Sequence, residues 1–321
     1  MTGDGTVVTG DGTDDSPIRV AVIGCGAIGS LYAAHLARAR DVEVWVVDPR
    51  AEHIDAIAAH GLRVTGLADF TVRVHARTNA SDLPDCDFGL VATKALHTRT
   101  AVAGARAALA NAAVVSLQNG LGNEEVIAEL VPWVIRGSII TAGAVIAPGV
   151  VRYDAPGDSW FGPFEPRPAS MGETERLARL LTEGGLRTHA LTDARGPQWT
   201  KVVFNSATSP LSALTGLPVG LVCTDPGLRS QVDALIAEAL VVCDKAGIAL
   251  TRHPHEAIAE AVEEAYHHQP SMLQDVLAHR ETEIDALNGG IAAEGRRVGV
   301  PTPLHDCMVA LVKGLERSWD G

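Results

Sequence analysis

The chain has 321 residues, 46% of them hydrophobic and 20% charged, with a formal net charge of −13; that length suits two domains of ordinary size with well-filled cores. The acidic balance opposes phosphate backbones, and with no local basic patch and no aromatic ladder it argues against nucleic acid as a partner. Cys25, Cys86, Cys223, Cys243 and Cys307 are widely spaced and form no C-x-x-C pair, which argues against disulfides and structural zinc, and no run of about 18 apolar residues offers a membrane span.

Residues 1–17, MTGDGTVVTGDGTDDSP, repeat TGDGT, carry acidic charge and offer almost nothing to bury, so they are expected to be a disordered tail. They lack the basic and long apolar regions of a secretory signal. The expected location is the cytoplasm.

From Ile18 the stretch PIRVAVIGCGAIGSLYAAHLARA reads as strand, tight turn and helix. Gly24, Gly26 and Gly29 form G-x-G-x-x-G at that turn, the first for the turn itself, the second for backbone approach to a pyrophosphate, the third for helix packing. Gly24, Cys25, Gly26, Ala27, Ile28 and Gly29 together are the candidate dinucleotide cradle; the alternative is a glycine turn kept for packing alone. A second strand, VEVWVVD, ends at Asp48, nineteen positions beyond Gly29. A carboxylate there accepts the adenosine ribose hydroxyls and repels a 2′-phosphate, which favours NAD(H), while Arg50 two residues on leaves NADP(H) open.

The α/β alternation continues. FGLVATKA is expected to be a strand that delivers Thr93 and Lys94 to a loop, residues 96–109 a helix, and AAVVSLQNGLGN a strand ending at Asn119-Gly120. Ligands bind at the carboxyl edge of parallel strands, so Lys94 and Asn119 are expected to face the cofactor side; alone, they would be a solvated lysine and a turn former. Glycine and proline punctuation over 136–162 predicts a hairpin closing the sheet. A helix over 172–184 and a short strand over 187–190 complete a dinucleotide-binding domain of residues 18–190.

Beyond 194, helical periodicity marks 196–214, 224–247, 255–268, 271–280 and 282–298, so residues 191–321 are expected to be a mainly α-helical substrate and catalytic domain. In WTKVVFNSATSPLSAL, Lys201, Asn205 and Ser209 recur every fourth residue and line about 12 Å of one helix face. The apolar flanks Val202, Val203 and Phe204 suit a cleft wall better than a solvated face. In PSMLQDVLAHRETEIDALNGG, Ser271 after Pro270 reads as a helix N-cap, and Glu283 and Asp285 fall on a later helix among Ile284 and Leu287. MVALVKGL near the C-terminus offers an apolar face for a second copy, which suggests a homodimer. His253, His255, His267 and His268 have no third ligand at a recognised spacing, so no metal is expected.

GCGAIGS, TKA, QNGLGN, WTKVVFNSATSPLSALTG and PSMLQDVLAHRETEIDALNG, in this order and at these separations, resemble the ketopantoate reductase (2-dehydropantoate 2-reductase) family over nearly everything after the tail. The resemblance implies a Rossmann-type domain followed by a helical one, a nicotinamide dinucleotide and a 2-oxo acid substrate. It implies that Lys201 is the general acid, that Asn205 contacts substrate, that Ser271 binds it from the other side, and that Glu283 holds substrate and lysine in place. Lys94 and Asn119 match residues bordering cofactor and substrate. The chemistry suits these types: hydride addition builds negative charge on the carbonyl oxygen, which an ammonium stabilises and protonates.

Three positions depart from the family pattern. Ser209 stands where a second asparagine is frequent, Val219 replaces a polar contact, and Asp48 stands where NADP-dependent members have arginine. These leave the reaction type intact and open the substrate: ketopantoate, another 2-oxo acid, or, in a chain that has lost turnover, only a sensed dinucleotide. A 3-hydroxy acid or opine-type dehydrogenase pairs a similar nucleotide domain with helices, but the Lys201 and Glu283 motifs argue against it.

Overall fold

A computed structural model describes residues 16–320; residues 1–15, most of the expected disordered tail, lie outside the described residues. The β-branched run IRVAVI forms strand β1 (Ile18–Ile23), followed by helix α1 (Ala27–Leu36), β2 (Val42–Val47) and α2 (Ala51–His60). The last four residues of β1 are buried, as strands covered by helices on both faces must be, which is why the run is continuously apolar. Three short strands follow, β3 (Leu62–Gly66), β4 (Phe70–Val72) and β5 (His75–Arg77), then β6 (Phe88–Val91) and α3 (Thr98–Ala105). The helix expected over 96–109 is thus shorter, opened by a 3₁₀ turn at Ala95–His97.

The remaining elements of this half are β7 (Ala113–Ser116), α4 (Asn123–Ala128), β8 (Trp133–Ile139), β9 (Ala142–Ala147), β10 (Val150–Ala155), β11 (Ser159–Pro163), α5 (Met171–Gly184) and β12 (Thr188–Ala190). Helix α5 starts with a capping box in which Ser170 Oγ accepts Glu173 N and Glu173 Oε2 accepts Ser170 N. An eight-stranded sheet runs β12-β11-β8-β7-β6-β1-β2-β5. It is parallel except for the β8–β11 pair. Strand order reverses on either side of β1, so the crevice for a ligand opens at the carboxyl ends of β1 and β6.

The segment expected to close this sheet as one hairpin divides instead between two sheets. Strands β8 and β11 stay in the main sheet, while the β9–β10 hairpin joins a second one of order β4-β3-β10-β9. The hairpin tip is tied away from the main sheet: Gly149 N donates to His53 Nδ1 at 3.1 Å and Gly149 O accepts Arg63 N at 2.9 Å.

The second half is helical: α6 (Arg195–Thr215), α7 (Val219–Thr224), α8 (Pro226–Ala246), α9 (Pro254–Glu264), α10 (Ser271–Leu277), α11 (Asn288–Val298) and α12 (Pro303–Arg317). The helix expected over 224–247 is α8, whose start is fixed by Asp225, its side chain accepting Gly227 N and Leu228 N; the short α7 before it was not expected. Pro210 sits inside α6. It has no N–H for Ser206 O, and Asn288 Nδ2 supplies that bond at 2.9 Å.

Two expectations need correction here. Glu283 and Asp285 do not lie on a helix: Glu283 O accepts both Ala286 N and Leu287 N, a tight turn, and α11 begins only at Asn288. The buried Ile284, Leu287 and Ile291 mimic helical spacing across that turn. Ser271 is not an N-cap; Pro270 holds that position and Ser271 is the exposed first residue of α10. Among the described residues no helix is long and apolar enough to cross a membrane.

Candidate active site

The glycine loop forms the floor of the crevice. Gly24 has φ +93°, and a Cβ there would lie 2.7 Å from Thr93 N; a Cβ on Gly29 would lie 1.8 Å from Gly24 O, so both positions admit only glycine. Gly26 has open space on its side, and as N-cap of α1 it provides no side-chain cap. The first N–H groups of α1 therefore remain available to an anion. Gly26, Ala27 and Ile28 form the partly exposed lip of the loop, whereas Cys25 is buried. Burial pushes the Cys25 thiol up to about 12, which leaves it an inert packing group.

Asp48 ends β2 beside this loop, as expected, but its carboxylate is already engaged. Its oxygens accept Cys25 N at 2.9 Å, Arg50 N at 3.0 Å, Arg50 Nε at 2.8 Å and Arg50 Nη2 at 3.1 Å. Burial works to raise the Asp48 pKa, but the Arg50 hydrogen bonds, its charge and the Cys25 N–H outweigh it and hold the group below the ordinary carboxylate value. A ribose diol at Asp48 must displace the Arg50 side chain, which is half exposed.

Farther along the crevice three polar groups from distant parts of the chain join in one line. Lys201, in the second turn of α6, donates from Nζ to Asn119 Oδ1 at 2.7 Å, and Asn119 Nδ2 donates to Glu283 Oε2 at 3.1 Å. Glu283 Oε1 accepts Ala95 N at 3.4 Å. Burial lowers the Lys201 pKa to about 8, with the Glu283 charge acting to raise it. Burial also raises Glu283, against the Asn119 hydrogen bond, the Ala95 N–H and the Lys94 charge.

Asn119 is placed by its neighbours. Gly120 follows at φ +86°, where a Cβ would lie 2.5 Å from Ala286 O, so the loop after β7 can lie against the Glu283 turn only with glycine there. Asn123 Nδ2 donates to Asn119 O at 2.9 Å, and Gln118 Nε2 ties this loop to the one after β6 through Thr93 O at 2.9 Å and Thr98 Oγ1 at 2.7 Å. Gln198, in the first turn of α6, bonds Glu124 Oε1 at 2.9 Å. Burial raises Glu124 to about 7.

Lys94 reaches farther than its place at the sheet edge suggests: its Nζ lies 2.5 Å from Asp275 Oδ2 on α10 and 3.1 Å from Glu281 O. Asp275 is buried at 6% exposure. It stood inside the PSMLQD motif, but nothing in its spacing tied it to a lysine 181 positions earlier. Asn205 is partly buried one turn beyond Lys201, and Ser209 is buried at 4% exposure a turn farther. The side chains of Asn205, Ser209 and Ser271 join none of the hydrogen bonds of the Lys201–Asn119–Glu283 line. Val219 is buried in the apolar core of the helical half with Trp199 and Ile236. Among the described residues no group of three or more His, Cys, Asp or Glu side chains is arranged to hold a metal ion.

Residues 20–166 match the family described as Ketopantoate reductase PanE/ApbA, and residues 193–316 match its C-terminal part, Ketopantoate reductase PanE/ApbA C terminal. The 2-dehydropantoate 2-reductases of Pyrococcus abyssi and Pyrococcus horikoshii are 30% and 32% identical to the chain, each alignment covering 93% of it and 98% of the relative. A crystal structure of a PanE/ApbA family ketopantoate reductase from Ralstonia eutropha superposes with a TM-score of 0.86 at 30% identity, covering 95% of this chain and 100% of that one. The ternary structure of D-mandelate dehydrogenase with NADH and anilino(oxo)acetate superposes with a TM-score of 0.84 at 26% identity over the same shares. Two matched halves, whole-length relatives and a crevice lined by the motif residues agree: the chain belongs to the ketopantoate reductase family and is an oxidoreductase of the class that acts on CH–OH groups.

Proposed function

We propose that the chain reduces a 2-oxo acid, ketopantoate first among them, to the 2-hydroxy acid at the expense of a nicotinamide dinucleotide, with Lys201 as general acid. The observation that carries this reading is the Lys201–Asn119–Glu283 line. It holds an ammonium whose pKa is about 8 where the helical half meets the carboxyl edge of the sheet. A donor with that pKa is mostly protonated at neutral pH and gives up its proton readily.

The dinucleotide fits the residues present. The glycine cradle has room at Gly26 and uncapped N–H groups at the start of α1 for a pyrophosphate, and the reduced dinucleotide, when bound, would supply the hydride. Lys201 stabilises the charge that grows on the ketone oxygen and transfers its Nζ proton to it. Asn119 keeps Nζ directed, Glu283 offsets the cost of burying the ammonium, and Asn205, Ser209 and Ser271 bind the acid. NADH is favoured because Asp48 opposes a 2′-phosphate; Arg50, able to turn toward one, leaves NADPH open.

A second reading keeps the reaction and changes the side chain of the acid. It rests on the likeness to D-mandelate dehydrogenase and on Ser209, which stands where the family pattern frequently has a second asparagine. A panel of ketopantoate, smaller branched 2-oxo acids and phenyl-substituted 2-oxo acids, followed by nicotinamide absorbance, separates the two. Ketopantoate should have the highest kcat/KM. A phenyl-substituted acid ahead of it replaces the first reading with the second. NADH binding without turnover of any 2-oxo acid overturns both in favour of a sensor.

A further inference from the structure

The turn that carries Glu283 is gripped from two sides. On the nucleotide-binding side Leu121 N donates to Ala286 O at 2.8 Å, and Asn119 holds the carboxylate itself. On the other side stands Glu316, near the end of α12 and only 8% exposed. Its Oε1 accepts Thr282 N at 2.8 Å and Thr282 Oγ1 at 2.7 Å. Thr282 Oγ1 also accepts Ile284 N at 3.3 Å, so both sequence neighbours of Glu283 are fixed through one carboxylate. Its other oxygen lies 3.4 Å from Lys313 Nζ, which also meets Asp285 Oδ2 at 3.0 Å.

An apolar side chain would seat α12 without the cost of burying a carboxylate. What a carboxylate adds is direction: two donors from one residue, both buried, leave Thr282 a single pose. We infer that Glu316 is a positioning residue for the reduction, which through Thr282 aims the Glu283 carboxylate at Asn119 and so places the Lys201 ammonium. This rests on the reading of the chain as a 2-oxo acid reductase. It assigns the C-terminal helix a part in the chemistry although no residue of that helix belongs to the Lys201–Asn119–Glu283 line.

The test uses the full chain with Glu316→Ala, Glu316→Gln and Thr282→Val, each measured by steady-state kinetics, dinucleotide binding, thermal melting and crystallography. Glu316→Ala and Thr282→Val should lower kcat by about tenfold to a hundredfold, the range for a small misplacement of reacting groups. The alkaline limb of the pH profile should move with it, because the Glu283 charge no longer faces Lys201 as before. NADH affinity should stay unchanged. Glu316→Gln keeps an acceptor for Thr282 and should recover most of the rate. In crystals of the Ala and Val variants the Glu283–Asn119 hydrogen bond should be broken.

Wild-type kinetics and pH profile in Glu316→Ala would overturn the inference, as would a loss of rate that follows melting temperature and is not recovered by Glu316→Gln. If Glu316→Ala does not fold, Thr282→Val decides by the same criteria. Should the wild-type chain reduce no 2-oxo acid, the functional reading fails separately; the Glu283–Asn119 distance in the Thr282→Val crystal then decides, and its preservation overturns the positioning role.

Discussion

Lys201 and Asn119 are 82 residues apart and joined by a 2.7 Å hydrogen bond from Nζ to Oδ1, which makes the ammonium of a helix in one half a fixture of the loop at the sheet edge of the other. Removing that ammonium tests its role directly. Lys201→Ala should lower kcat by about two to four powers of ten, the range for a positioned general acid, while leaving NADH affinity nearly intact. Near-normal turnover would make the contact structural only.

The pH dependence follows from the same lysine. Reduction needs it protonated, so kcat/KM should be flat below about pH 8 and fall above it. The charge of Glu283 raises the Lys201 pKa; Glu283→Gln removes that charge and should move the limb to lower pH. A limb that stays in place in the variant would separate the carboxylate from the lysine.

Stability should show the cost of this arrangement. The Lys201 pKa is about 8 in the fold against 10.5 for the free side chain, so between these values the unfolded chain binds more protons and stability from this group rises with pH. Below about pH 8 the penalty is present in full. Lys201→Met at pH 7 should therefore melt about 1–4 °C higher than wild type, as a kcal/mol or so gives in a chain of this size. A lower melting temperature would show that the lysine supports packing more than it opposes it.

At the other end of the crevice, the proposed preference for NADH rests on Asp48 and Arg50. Steady-state kcat/KM with the best 2-oxo acid should be higher with NADH than with NADPH. Arg50→Ala should leave NADH in use and reduce NADPH use further, since the nearest guanidinium to the ribose site is gone; Asp48→Arg should shift preference toward NADPH. Equal use of both dinucleotides by wild type would mean that Arg50 leaves Asp48 and takes the phosphate.

The sequence makes visible those features whose cause is local. Gly24 and Gly29 are legible because backbone crowding at one turn demands glycine, and the Lys201, Asn205, Ser209 stripe because a helix repeats every three to four residues. The line from Lys201 through Asn119 to Glu283 is not legible by spacing, since it is made by docking of three separated segments; family resemblance alone joined them. The Glu283 turn was hidden by Ile284, Leu287 and Ile291, which are buried as a helix face would be. The second sheet was hidden because its edge strand β4 has three residues, too few to show an alternation. Glu316 lies in no motif, and its pairing with Thr282 comes only from where α12 ends.

Pro210 removes one rung of the helix that carries Lys201. Because Ser206 O has no ladder donor there and Asn288 of α11 fills the gap, α6 is tied sideways to α11 at the point where its own ladder is weakest. Opening of the half before Pro210 to solvent is then a shared event of two helices. Amide hydrogen exchange around Lys201 and Asn205 should rise and fall with exchange at the head of α11, out of step with residues 211–215 of the same helix.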